Sequence, residues 1–306
     1  MGFSNPDPRL HEPVLLGEVL RLLDPRPGEV VVDATLGSGG HAREILKRIG
    51  SKGRLIGIDQ DPEALQRAQK NLQDFPQVDY AQENFSRLDK VVLSLNLKAV
   101  DAVLLDVGLS TDQLEDARRG FSFLKEGPLD MRRDPEGCLT AQDLVNDLSQ
   151  GELEKLFRVY GEERWARRIA AAIFRERVKS PIETTGALSE LIKRTVPARY
   201  RFGSLHPATR VFQALRIAVN RELEALGEVL PKAFEVLSPG GRLAVISFHS
   251  LEDRIVKRTF RQWASESKVE VLTRKPIEPG AEEIGRNPRS RSAKLRAIEK
   301  SKEIDR

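Results

Sequence analysis

Three carboxylates close three apolar runs in this chain: Asp33 after Val30-Val31-Val32, Asp59 after Leu55-Ile56-Gly57-Ile58, and Asp106 after Ala102-Val103-Leu104-Leu105. Between the first two lies the turn Gly37-Ser38-Gly39-Gly40-His41. Small residues there let a backbone approach a ligand closely, and the helix that follows turns its unpaired N–H groups toward it. That chemistry belongs to a nucleotide-type cofactor pocket. The turn satisfies the G-x-G-x-x-G/A dinucleotide pattern. Asp33, four residues before Gly37, would crowd a pyrophosphate but suits a cationic ligand. S-adenosylmethionine carries an ammonium and a sulfonium and no phosphate. The bland alternative is a glycine turn beside an acid that only caps a helix.

The elements that must position these residues follow a βα rhythm. Strands are expected over Val30–Asp33, Gly53–Asp59, Val78–Phe85 and Val100–Asp106, with helices over Ala42–Ile49, Pro62–Leu72 and Leu88–Leu97 between them. Ligands of open α/β sheets bind outside the carboxyl ends of the strands, so Asp33, Asp59, Phe85 and Asp106 converge on one crevice. Asp59 stands where a ribose-binding acid belongs. From about Leu114 to Arg216 no strand is legible. Helical patterns over Gln142–Val145, Leu153–Arg175 and Leu188–Val196 follow one another instead. From Ile217 the α/β rhythm resumes: a helix through Leu237, a Pro239-Gly240-Gly241 turn, a strand Arg242–Phe248, a helix Leu251–Trp263 and a short strand Val269–Leu272. The basic tail from Arg286 is expected to give an edge strand and then fray. The domains are therefore drawn at 1–114, 115–216 and 217–306, the first and third forming one sheet.

The chain has 306 residues, 50 Lys and Arg against 46 Asp and Glu, and a single cysteine, Cys138. One cysteine excludes an internal disulfide and suits a reducing compartment. No apolar run approaches the roughly eighteen residues of a membrane span, and Met1–Pro6 lacks a signal layout, so a cytoplasmic protein without membrane contact is expected. No metal site is expected, and a homodimer is left open.

The motifs closely resemble one known family, the ribosomal RNA small subunit methyltransferase H (MraW) family. The strings that carry the resemblance run almost end to end. They include His11-Glu12-Pro13-Val14-Leu15, Asp33–His41, Leu105–Ser110 with Gln113-Leu114, Arg119–Phe123, Gly127–Arg132, Tyr160–Arg164, His206–Ile217 and Ser247–Arg254. The resemblance implies a Rossmann-like class I S-adenosylmethionine-dependent methyltransferase sheet, in α/β architecture, with an inserted helical domain. It implies methylation of the exocyclic N4 of a cytidine in small-subunit rRNA near the decoding centre, with the rRNA or the 30S particle as partner. It also implies that Gly39, Gly40, His41, Asp59, Phe85, Asp106 and Gln113 line the S-adenosylmethionine pocket. The residue reading adds Asp33.

Methyl transfer to an aromatic amine draws mainly on alignment, helped by an acceptor that hydrogen-bonds the amine and steers its proton away. Asp106 is the candidate acceptor and also a candidate cofactor ligand. Many amino-methyltransferases follow this acceptor with two prolines and an aromatic. Here Val107-Gly108-Leu109 follows, so a stacking ring must come from Phe121, Phe123, Phe248 or His249.

The stretch Arg158–Arg221 is rich in Arg164, Arg167, Arg168, Arg175, Arg177, Arg194, Arg199, Arg201, Arg210 and Arg216, a pattern suited to phosphate. An insertion at this place overhangs the crevice as one wall of a substrate cleft, with Arg289, Arg291, Lys294 and Arg296 adding phosphate contacts. The RNA-contact candidates are Arg164, Arg168, His206, Arg210, Gln213, Arg216, Asn220 and His249. The competing role for the polar groups of His206–Asn220 is to knit the two domains together. Two rival functions remain: an NAD-dependent oxidoreductase on the same turn, and a non-catalytic RNA-binding or assembly protein.

Overall fold

The computed structural model describes residues 13–203 and 205–302. The motif residues His11 and Glu12, and the stretch Met1–Pro6 read for a signal, lie outside them. The chain divides into two compact units, Met1–Gly108 with Leu223–Arg306, and Leu109–Glu222. The boundaries fall a few residues outside the 114/115 and 216/217 divisions expected from the pattern.

The first unit runs α1 (Leu16–Leu23), β1 (Val30–Asp33), α2 (Gly40–Ile49), β2 (Arg54–Asp59), α3 (Pro62–Asn71), β3 (Val78–Gln82), α4 (Leu88–Ser94) and β4 (Val100–Val107). The chain then passes through the second unit, whose helices are α5 (Thr111–Glu115), α6 (Ala141–Asp147), α7 (Gln150–Val159), α8 (Ala166–Arg177), α9 (Thr185–Thr195), α10 (Ala198–Arg201) and α11 (Thr209–Asn220). It returns through α12 (Glu222–Val236) to β5 (Leu237–Ser247), α13 (Ser250–Ser265), β6 (Val269–Val271), α14 (Ala281–Arg286) and β7 (Lys294–Lys300).

The seven strands order as β3-β2-β1-β4-β5-β7-β6. The first five are parallel, and β7 runs antiparallel to both β5 and β6. Side-chain alternation drives the layering. Val32, Ile56, Val103, Leu105 and Val245 enter one apolar cluster with α4, α12 and α13. Val31, Leu55, Leu104, Ala244 and Ile246 enter another with α1, α2 and α3. A sheet buried on both faces needs near-continuous apolar strands, which is what β1, β2 and β4 are.

Four elements differ from the sequence expectation. The helix expected over Leu153–Arg175 is two helices, broken at Gly161, where a Cβ would lie 2.5 Å from the Arg210 carbonyl oxygen, so backbone packs on backbone there. The helix expected from Ile217 breaks at Arg221, which takes a left-handed conformation with φ 49°. Pro239-Gly240-Gly241 is an irregular start to β5 rather than a separate turn, with a register shift against β4. The tail strand β7 is interior, with β6 at the edge, because the amine of Lys300 donates to the carbonyls of Phe234 (2.9 Å) and Leu237 (2.6 Å) and ties the tail beneath α12.

The second unit carries its own core, with Phe157, Ile169, Ile173, Leu188, Ile192 and Leu215 fully buried. Capping boxes at Ser110/Gln113, Thr140/Asp143 and Ser149/Glu152 start α5, α6 and α7. Each satisfies two otherwise orphaned N–H donors, which is how a run of short helices begins cleanly.

Candidate active site

The parallel register places Asp33, Asp59 and Asp106 at the same edge of the sheet, with Asp33 opposite Gly57 and Leu104. Two of these acids build the glycine turn. Asp59 accepts the Gly37 N–H (2.9 Å) on one carboxylate oxygen and the Asp61 N–H (2.9 Å) on the other. Asp33 accepts the Thr35 N–H (3.2 Å). Thr35 in turn accepts the Asp106 N–H on its hydroxyl (2.6 Å), so β1 and β4 are locked together at the site. Thr35 was not picked out from the sequence; a polar residue two places beyond Asp33 in an apolar run was the available signal.

The glycines are required by space. Gly39 caps α2 at φ 85°, and a Cβ there would meet the Leu72 side chain at 2.9 Å. A Cβ on Gly40 would lie 2.7 Å from Pro13. The first N–H groups of α2 have no partner within the helix, which leaves donors for an anionic group such as a carboxylate. Asn71 donates to the Ser38 carbonyl (3.0 Å) and holds the turn from α3.

His41 is buried, its Nε2 2.9 Å from the Val14 carbonyl oxygen and its Nδ1 3.7 Å from Asp106 Oδ2. Asp33 is 1 % exposed. Burial pushes its carboxyl up to about 6, partly offset by His41 and the Thr35 N–H, while Asp106 and Asp59 add to the rise. A buried carboxylate with two acidic neighbours is poised for a cation and hostile to a pyrophosphate.

Phe85 is 7 % exposed, in a single 3-10 turn after β3 rather than within the strand, and belongs to the apolar cluster with Ile58, Leu88 and Val107. Gln113 lies in the second unit, buried, closing the α5 capping box. Of the four rings named for stacking, the Phe248 ring lies beside Asp106's strand end: a Cβ on Gly108 would meet it at 2.7 Å. Glycine at 108 is what admits the ring. Phe121 is buried in the second unit's core, and Phe123 stacks on His206 with centroids 4.5 Å apart. His249 caps α13, accepting the Glu252 N–H on Nδ1 (3.4 Å), with Nε2 3.1 Å from the same residue's carboxylate.

Within the second unit, several RNA candidates are engaged in holding it together. Gln213 donates to the Tyr160 carbonyl (3.0 Å). Asn220 donates to the Met131 carbonyl (2.8 Å) and accepts the Arg133 N–H (2.8 Å). Arg216 pairs with Glu222 (3.0 Å). These contacts of Gln213, Asn220 and Arg216 lie within the second unit. Burial lowers the affinity of His206 for a proton. Arg210 donates to the Glu162 carbonyl (2.6 Å), Arg164 lies over the Tyr200 ring, and Arg168 is exposed. Of the tail cations, Arg296 is buried against Asp253 (2.7 Å) and turns inward, because β7 is interior.

A sheet in this order, with five parallel strands and an antiparallel β7, and with strand-end acids around a glycine turn, defines the class: a Rossmann-like S-adenosylmethionine-dependent methyltransferase. The chain belongs to the MraW methylase family, whose model matches residues 9–301. It is 49 % identical over 307 residues to ribosomal RNA small subunit methyltransferase H of Heliobacterium modesticaldum, covering 95 % of this chain and 98 % of that one. It is 50 % identical to the protein of the same name from Pelobacter propionicus, with the same coverage. Among solved structures, an rRNA methylase from Streptococcus thermophilus matches with a TM-score of 0.43 and 11 % identity, over 94 % of this chain and 93 % of that one. That likeness is too distant to add to the argument.

Proposed function

We propose that this protein methylates the exocyclic N4 of a cytidine in small-subunit rRNA near the decoding centre, acting in the cytoplasm on rRNA or the 30S particle. Family membership supports the reaction class and the RNA substrate. The observation that carries the choice of an amine is Asp106: a carboxylate at the end of β4, anchored through its backbone to Thr35 and faced by His41. When bound, S-adenosylmethionine supplies an electrophilic methyl group on a sulfonium. The backbone amides of Gly40 and His41 at the start of α2 would hold its carboxylate, Asp59 its ribose hydroxyls, and Asp33 would offset its positive charge.

Asp106 does the chemistry that the chain itself must provide. The cytosine amine is a poor nucleophile because its lone pair is drawn into the ring. A carboxylate accepting one N–H turns that lone pair out of conjugation and would take that proton as the nitrogen gains the methyl group and a neutral thioether is left behind. Phe248, whose ring packs against Gly108 at the end of β4, is the candidate to lie along the base. The decisive test is mass spectrometry of rRNA nucleosides from cells with and without the protein, paired with labelled methyl transfer to small subunits. Loss of N4-methylcytidine in its absence is expected; transfer to another base position or to protein would overturn the reading.

A further inference from the structure

Several arginines of the second unit are paired with carboxylates: Arg158 with Glu154, Arg194 with Glu176 and Arg216 with Glu222. Arg164 and Arg210 differ. Arg164 lies over the Tyr200 ring at 4.7 Å from its centroid and over Trp165 at 5.7 Å, and it makes no ion pair among the described residues. Arg210 is anchored only on the Glu162 carbonyl (2.6 Å) and also makes no ion pair among the described residues. Tyr200 is fixed in turn by its hydroxyl, which donates to the buried Glu163 carboxylate (3.0 Å). Both guanidinium groups act electrostatically on Tyr200, so they share one neighbourhood.

Two residues on, Phe202 is 88 % exposed, more than any other large apolar side chain described. It directly follows the basic stretch Arg199-Tyr200-Arg201, and Arg201 folds back onto the Val196 and Arg194 carbonyls (3.1 and 3.0 Å), which braces the backbone leading into it. A single exposed phenylalanine means little by itself. One that follows a braced turn two residues after Tyr200, the ring that Arg164 covers, has the composition of a single-strand binding surface, where rings stack on bases and cations track the backbone.

We propose that Phe202 stacks on an unpaired base of the RNA while Arg164 and Arg210 hold adjoining phosphates, with Tyr200 as the positioning residue for Arg164. The idea rests on the RNA reading above and adds a contact surface in the second unit to it. Charge complementarity selects the occupant: two arginines that make no ion pair among the described residues, in the same region of the unit as an exposed ring, suit a polyanion with exposed bases.

The test uses the full chain and a short fluorescently labelled single-stranded RNA of small-subunit sequence, followed by anisotropy across a salt series. Phe202→Ala is expected to weaken binding roughly tenfold, and Phe202→Trp to retain it, since stacking needs only a π-face. Arg164→Gln with Arg210→Gln is expected to lower the salt slope by about 1.4, at about 0.7 per lost single-strand phosphate contact. S-adenosylmethionine affinity and near-ultraviolet dichroism, measured on every variant, report an intact fold. Equal RNA affinity for wild type and Phe202→Ala overturns the surface alone. So does a defect confined to methylation of intact subunits with RNA affinity unchanged, which would assign Phe202 to a ribosomal protein. Absence of RNA binding by the wild type removes the RNA reading itself and this surface with it.

Discussion

His41 stands between the Val14 carbonyl, 2.9 Å from its Nε2, and the Asp106 carboxylate, 3.7 Å from its Nδ1. A carbonyl can only accept, so Nε2 carries a proton and the nitrogen facing Asp106 is the one whose protonation changes the site. The glycine turn, the segment ahead of α1 and the end of β4 are thereby joined through one imidazole. Replacing His41 by Ala breaks both contacts of the imidazole. Isothermal titration is expected to show S-adenosylmethionine affinity reduced by about tenfold or more, the scale of a lost hydrogen bond to a charged group.

Asp106 separates binding from chemistry. Asp106→Asn keeps the shape and the backbone link to Thr35 but loses the charge that receives the amine proton. Turnover on small subunits should fall by about 10²–10⁴-fold, with cofactor affinity altered far less. A loss of affinity as large as the loss of turnover would make Asp106 a cofactor ligand only.

Asp33 imposes a stability cost that depends on pH. Its carboxyl sits at about 6 when folded against 3.8 as the ordinary value. The folded state therefore holds its proton more tightly. The associated stability is fully present below pH 3.8 and is lost as pH rises through about 6, by about 3 kcal/mol. Asp33→Asn removes the titration. In denaturant unfolding the variant should gain on the wild type between pH 4 and pH 7, while its S-adenosylmethionine affinity drops.

Gly108 and Phe248 make a steric pair. A methyl group at 108 would sit 2.7 Å from the ring, so Gly108→Ala must displace Phe248. Turnover on RNA is expected to fall with cofactor affinity held, and Phe248→Leu should reproduce the defect. Steady-state kinetics on small subunits, read as KM against kcat, checks both.

Lys300 binds the tail to the end of α12 and the start of β5 through the carbonyls of Phe234, Glu235 and Leu237, and lies 4.7 Å from the Phe234 ring centroid. Burial lowers its pKa from the ordinary lysine value. Lys300→Met leaves those carbonyls unsatisfied and is expected to cost about 1–3 kcal/mol in thermal or denaturant unfolding.

The sheet was legible because β1, β2 and β4 are β-branched or leucine-rich runs that end in acids, and because a glycine turn constrains backbone locally. Asp33, Asp59 and Asp106 could be placed together from strand order alone. The breaks at Gly161 and Arg221 were not legible, since each is imposed by a partner distant in the chain or by one left-handed residue that no periodicity marks. The tail read as a fraying edge because its lysine and arginines look solvent-bound until α12 and Asp253 are placed against them.

Sequence alone determined the sheet, the acids at its edge and the family, all of which follow from local patterns and short motifs. Only the tertiary structure decided how the polar residues are spent. It assigned Asn220, Gln213 and Arg216 to internal bonds, set Phe248 against Gly108, laid Arg164 over Tyr200 and left Phe202 exposed. The reason is physical: an arginine or an asparagine has the same letter whether its donors meet a carbonyl, a carboxylate or solvent. That choice is made by neighbours many residues away.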